Sequence, residues 1–192
     1  MNIQELVKKN IIEKPIIWFL TKAAMLWIFW LLIYGQFLKR LGIDDPLSYF
    51  IANLTAWIYK LMGYETGVKK VIPDGLTVEA TKFLVMNNNM PVINIDKACN
   101  GMELYALFIS FLIAFGGKHR FWQYVILGSI SIFVINLIRI VALVWIMLYY
   151  PSQVDFHHHY TFSYLIYAYI IWLWFLFINT QNAYKKSQNI ES

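Results

Sequence analysis

Long apolar runs separated by short polar segments set out the organisation of the chain. The first, Pro15 to Gly35 (PIIWFLTKAAMLWIFWLLIYG), follows Lys8, Lys9 and Lys14. At about 1.5 Å per residue it is long enough to cross a hydrocarbon core of about 30 Å. The run is too long for the apolar region of a signal peptide, and no small-residue cleavage site follows it. The pattern therefore predicts a permanent span, 15–35, with its N-terminus in the cytoplasm. Two further spans, 100–116 and 121–149, meet at the basic loop GGKHR, Gly116 to Arg120. A fourth, 160–179, ends before Lys185 and Lys186. Basic residues mark cytoplasmic ends, so the N-terminus, the loop and the C-terminus share one side and the number of crossings is even.

The remaining apolar segment, 47–64 (LSYFIANLTAWIYKLMGY), is short and carries Asn53, Thr55 and Lys60. It reads as an amphipathic helix at the outer interface, with Tyr and Trp at headgroup depth, and a fifth crossing is the alternative. Residues 65–98 form the one extended polar stretch. Alternation in LTVEATKFLV, turn residues in PDG and NNNMP, and the β-rich PVINID predict a small extracytoplasmic β-hairpin. Its last strand leads to Cys99. The expected architecture is an all-α polytopic membrane protein, residues 1–192 forming one membrane-embedded domain. It has about four transmembrane helices, the outer interfacial helix and the hairpin.

Composition agrees with that pattern: 59% of residues are hydrophobic, 18% aromatic and 14% charged. The net charge of +5 then belongs to cytoplasmic span ends rather than to a phosphate-binding stripe, so no nucleic-acid partner is expected. The lipid bilayer is the expected surrounding. With one cysteine, an internal disulfide is excluded, and the use of Cys99 must be argued from its position.

Position singles it out. Cys99 precedes Lys118 of the cytoplasmic loop by 19 residues, and Arg139 follows Lys118 by 21. Both therefore stand about 28–32 Å up, at the outer rim of the hydrocarbon. Counting back from Asn179 near the cytoplasmic end of the last span, His159 also comes out about 30 Å up. A thiol attacks a carbonyl as thiolate, favoured by a helix N-terminus, a cation or an imidazole, and Cys99 has candidates for all three. His159 would take the thiol proton and return it to a leaving amine. Arg139 would hold the oxyanion, assisted by backbone N–H groups near Asn100 and Gly101. Gly101 would also let a substrate backbone approach closely.

These residues carry a resemblance. ACNGM around Cys99, NLIRI from Asn136 to Ile140, and a histidine opening the final span resemble the exosortase/archaeosortase family of membrane cysteine transpeptidases, mainly over Ile95 to Trp174. The chain most resembles the short exosortases with few spans, of the exosortase F type. The resemblance implies a multi-pass protein of the bacterial inner membrane with its site on the extracytoplasmic side. Its partner would be the C-terminal sorting signal of exported proteins: a short motif, a membrane helix and a basic tail. Cleavage near the motif would be followed by transfer or release. The implied catalytic residues are Cys99, Arg139 and one histidine. His159 fits best through HYTFSYLIY, and His158 is the next choice. The family's residue after the cysteine is commonly small, often Ser, whereas Asn100 stands here.

Glu103, one turn below Cys99, is expected to pair with Arg139 and fix its guanidinium. Asn136 shares the face of Arg139, three residues away. Asp96 and Asp155 are candidates to orient the histidine, although a solvated loop role suits both. Consecutive histidines 157–159 project in different directions and no zincin-like spacing occurs, so no metal or cofactor is expected. Two other classes compete. One is a non-catalytic scaffold of a secretion or polysaccharide export system, which Cys99→Ser would leave functional. The other is a membrane acyl- or glycosyltransferase, with Arg139 and Lys97 binding phosphate.

Overall fold

The computed structural model describes residues 3–34, 41, 45–71, 82–87, 90–95 and 99–191. Its elements are α1 (Ile3–Ile33), α2 (Asp45–Leu61), β1 (Thr66–Val71), β2 (Lys82–Asn87), β3 (Met90–Ile95), α3 (Met102–Phe115) and α4 (Phe121–Tyr149). A 3₁₀ turn at Pro151–Gln153, the single turn α5 (Val154–Phe156) and a π-helical turn at His157–Thr161 then lead into α6 (Phe162–Glu191).

The termini of α3 are set by glycines in the left-handed region: Gly101 (φ 81°) before it and Gly116 (φ 72°) after it. The Gly116 N–H bonds back to the Leu112 carbonyl, closing the last turn where a residue with a Cβ would be strained. Helix α4 covers Phe121–Tyr149, while α6 runs past the apolar segment to Glu191. Its extension is polar and lysine-bearing, and such a sequence continues a helix readily once the apolar part is packed. Among the described residues, Phe121–Tyr149 and Pro151–Ile190 are long and apolar enough to cross a membrane. Ile17–Ile33 and Met102–Phe115 are shorter apolar helices.

Where an amphipathic helix is expected over 47–64, helix α2 covers Asp45–Leu61. Its buried positions, Asp45, Ser48, Ile51, Ala52, Thr55, Ala56 and Tyr59, recur at helical spacing, whereas Tyr49, Phe50 and Trp57 are exposed. The buried face lies on the sheet and on α4. The Tyr59 hydroxyl donates to the Val141 carbonyl at 2.8 Å, and the Thr66 hydroxyl donates to the Ala56 carbonyl at 2.7 Å.

Where a hairpin is expected, three antiparallel strands occur in the order β1-β2-β3. Strand β1 pairs Thr66 to Asn87 through Val71 to Lys82, and β2 pairs with β3 through a register shift at Val85/Met86. Adjacent lysines interrupt the alternation of TGVKKV, which hides this strand from a period-two pattern. The PDG turn lies outside the described residues.

Two apolar clusters divide the interior. The larger joins α3, α4 and α6 through Phe108, Leu112, Ile132, Ile166, Ile170, Leu173 and Phe177. Phe111 stacks on Trp174 with ring centroids 4.0 Å apart, and Phe19 of α1 meets Phe111 edge-on at 4.9 Å. The smaller joins α2, β3 and α4 through Ile51, Ala52, Ala56, Ile95 and Ile140, with Cys99 packed against it. At Gly128 a Cβ would stand 2.3 Å from the Phe108 ring, itself fully buried. Gly128→Ala is therefore expected to destabilise the bundle by about 1–3 kcal/mol, read as a lower thermal midpoint in detergent.

Candidate active site

Cys99 sits between the end of β3 and the start of α3, half-buried. The tight passage into the helix falls on Asn100 and Gly101. The Asn100 side-chain oxygen accepts the Met102 N–H at 2.9 Å, satisfying one free donor of the helix N-terminus. Its amide nitrogen reaches the Ser48 hydroxyl of α2 at 3.3 Å. Asn100 is fully buried, so the amide where the resembling family commonly has a smaller residue serves as a tie between α2 and the Cys99 turn.

Helix α4 supplies the opposite wall. Asn136, fully buried, donates from Nδ2 to the Cys99 carbonyl at 2.9 Å. One turn further along, Arg139 directs Nη2 to His158 Nε2 at 3.1 Å. The same imidazole nitrogen stands 3.9 Å from Cys99 Sγ. Arg139 Nε is buried with no hydrogen-bond partner among the described residues. A guanidinium can only donate, so Nε2 is the acceptor in this arrangement and the ring proton belongs on Nδ1.

The histidine facing Cys99 is His158. His159, favoured by the sequence pattern, lines the same cavity but is exposed and makes no hydrogen bond to Cys99 or Arg139 among the described residues. The reason is the π-helical turn at His157–Thr161, whose extra residue per turn shifts the register at which side chains face α4. The Ser163 hydroxyl donates to the His158 carbonyl at 3.2 Å, five residues back, and His157 Nδ1 lies 3.1 Å from Thr161 Oγ1. No feature of the amino-acid pattern announces a π turn inside an otherwise helical run.

Two cavities flank Arg139. One, of about 270 Å³, is bounded by Cys99, Arg139, Asp155, His158 and apolar side chains that include Ile93 and Leu143. The other, of about 150 Å³, is bounded by Gly101, Glu103, Arg139, Ser163 and Tyr167. Glu103 and Arg139 thus share a cavity, yet no ion pair joins them among the described residues, and Glu103 is exposed. Its place in the first turn of α3 suits a carboxylate near a helix N-terminus instead. Glu103→Gln is accordingly expected to leave turnover within about twofold of wild type in a cleavage assay. Asp155 lines the first cavity without a hydrogen bond to His158 among the described residues, and Asp96 and Lys97 lie outside those residues. Ser48 and Ser163, which the sequence reading did not single out, carry no signal in the sequence, because their role appears only when distant segments meet.

The family model described as Transmembrane exosortase (Exosortase_EpsH) matches residues 12–176, which takes in every element from α1 into α6. The chain belongs to the transmembrane exosortase family. No curated protein and no solved structure gives a match. Family membership and the long apolar helices make the chain a membrane protein and point to a membrane enzyme that processes sorting signals.

Proposed function

We propose that this exosortase is a cysteine transpeptidase or endopeptidase that cleaves the C-terminal sorting signal of exported, membrane-tethered proteins at the outer face of the membrane. Cys99 is the nucleophile, His158 the general base and acid, and Arg139 the oxyanion donor. The observation that carries the reading is the shared atom: Nε2 of His158 faces both the Cys99 thiol and the Arg139 guanidinium.

On this reading the steps start from the shared Nε2 atom. In the resting site the Nε2 lone pair is shared between the Arg139 guanidinium and the thiol; the scissile carbonyl enters the cavity beside Cys99 and takes the Arg139 N–H groups to its own oxygen, which leaves that lone pair wholly to the thiol. The thiol proton passes to Nε2 as sulfur attacks the carbonyl carbon, and Arg139 holds the resulting oxyanion. Its Nε, unpartnered among the described residues, supports this role, since a buried donor left without a partner costs about 1–3 kcal/mol. The carbon–nitrogen bond then breaks, the amine leaves with the proton from Nε2, and the N-terminal part of the substrate remains as a thioester on Cys99. Water or an acceptor nucleophile then gives its proton to His158 as it bonds to the thioester carbon, the carbon–sulfur bond breaks, and the sulfur takes the proton back from Nε2 as the product leaves. A substrate tethered by its own membrane helix is confined to the layer of the site, and this supplies much of the positioning.

The test is Cys99→Ser in the native membrane. Exported proteins with a C-terminal membrane helix are expected to keep that helix in the variant and to lose it in wild type, read as intact mass. Full trimming in Cys99→Ser would support the scaffold reading, and lipid-bearing products with an untrimmed C-terminus would support the transferase reading.

A further inference from the structure

We infer that Asn136 is a positioning residue for the nucleophile, acting through the backbone carbonyl of Cys99. The inference rests on the proposed role of Cys99 and extends it to a residue that touches neither the thiol nor the substrate. Asn136 is fully buried, and its Nδ2 donates to the Cys99 carbonyl at 2.9 Å. The amide orientation follows from chemistry, because a flipped side chain would set two acceptor oxygens against each other.

Gly101 adds independent support. Its φ of 81° disfavours a side chain, and a Cβ there would stand 3.3 Å from Asn136 Nδ2. The glycine thus answers two demands, the turn into α3 and the close approach of the Asn136 amide. On the other side of the turn, Asn100 reaches Ser48 of α2 and caps the Met102 N–H. Cys99 is therefore held between two asparagines, one anchored to α2 and one standing on α4.

The anchor on α4 matters most because the same helix carries Arg139 one turn away. A single rigid element then sets both the height of the thiol and the height of the guanidinium that meets it at His158. Asn136 Oδ1 is buried with no partner among the described residues. The bond from Nδ2 to the nucleophile's carbonyl is the one hydrogen bond its side chain makes among the described residues. That bond has a modest net energy, but a misplacement of about 1 Å can cost about 10²-fold in rate.

The single thiol allows a test that needs no substrate. The full chain, purified in detergent, is alkylated with iodoacetamide at neutral pH, and folding of each variant is checked by its thermal midpoint. Wild type is expected to react faster than its own unfolded chain. His158→Ala, Asn136→Ala and Asn136→Asp are each expected to fall roughly tenfold, toward the rate of an ordinary thiol. Asn136→Asp keeps the shape and loses the donor, so it should do no better than alanine. Gly101→Ala, which crowds the amide from the other side, is expected to fall likewise and serves if a position-136 variant fails to fold. Folded Asn136 variants, or Gly101→Ala, reacting at the wild-type rate while His158→Ala falls would overturn the inference and leave the catalytic reading standing. A wild-type thiol that is no faster than the unfolded chain, and indifferent to His158→Ala, would overturn both.

Discussion

His158→Ala is expected to lower cleavage of a membrane-tethered substrate by about 10²–10⁴-fold, while His159→Ala stays within about twofold of wild type. The contrast between neighbouring residues follows from the π-helical turn. His158 reaches Cys99 and Arg139, whereas His159 lines the same cavity exposed and without a hydrogen bond to either among the described residues. The loss should fall on kcat, because in the proposed mechanism the imidazole moves a proton only as the tetrahedral intermediate forms and collapses. Steady-state rates for both variants on one purified substrate check it. Equal losses at the two positions would show that the turn repacks and that the histidines substitute for one another.

Arg139→Gln is expected to lower kcat by about 10²–10³-fold, the usual effect of removing an oxyanion donor. Arg139→Lys should recover little of this and remain at least about tenfold below wild type. A lysine brings the charge but not the fork that spans His158 Nε2 and the position of the oxyanion. If Arg139 only reached toward lipid headgroups, lysine would replace it without loss, so the Arg-to-Lys comparison separates catalysis from anchoring. Single-turnover measurement on the same substrate gives the rate of the chemical step directly.

The nearness of Cys99, Arg139 and a histidine was legible in the sequence because helix rise converts residue spacing into height. Counting from the GGKHR loop placed Cys99 and Arg139 at one level, and the structure joins both to a histidine at the start of the last long helix. The amphipathic character of α2 was read from its polar residues, of which Asn53 and Lys60 are exposed while Thr55 is buried. Three features were not legible. The choice between His158 and His159 depends on a π turn, and a turn of that kind is a tertiary adjustment with no residue pattern of its own. The third strand, β1, was hidden by adjacent lysines that break its alternation. The expected Glu103–Arg139 pair failed for a geometric reason: height along a helix was counted, but rotation about its axis was not. Glu103 ends up exposed on the rim of a cavity whose other side is Arg139.

The central claim is that Cys99 forms a thioester with the N-terminal part of the cleaved protein, and hydroxylamine tests it most directly. With membranes, a tethered substrate and hydroxylamine together, the thioester carbon–sulfur bond breaks, the thiol is regenerated, and the substrate carries a hydroxamate at its new C-terminus. Wild type is expected to give that hydroxamate, detected by mass, with none in Cys99→Ser and a strongly reduced yield in His158→Ala. A cleaved product that never carries hydroxamate, or one formed equally well by Cys99→Ser, would contradict the account.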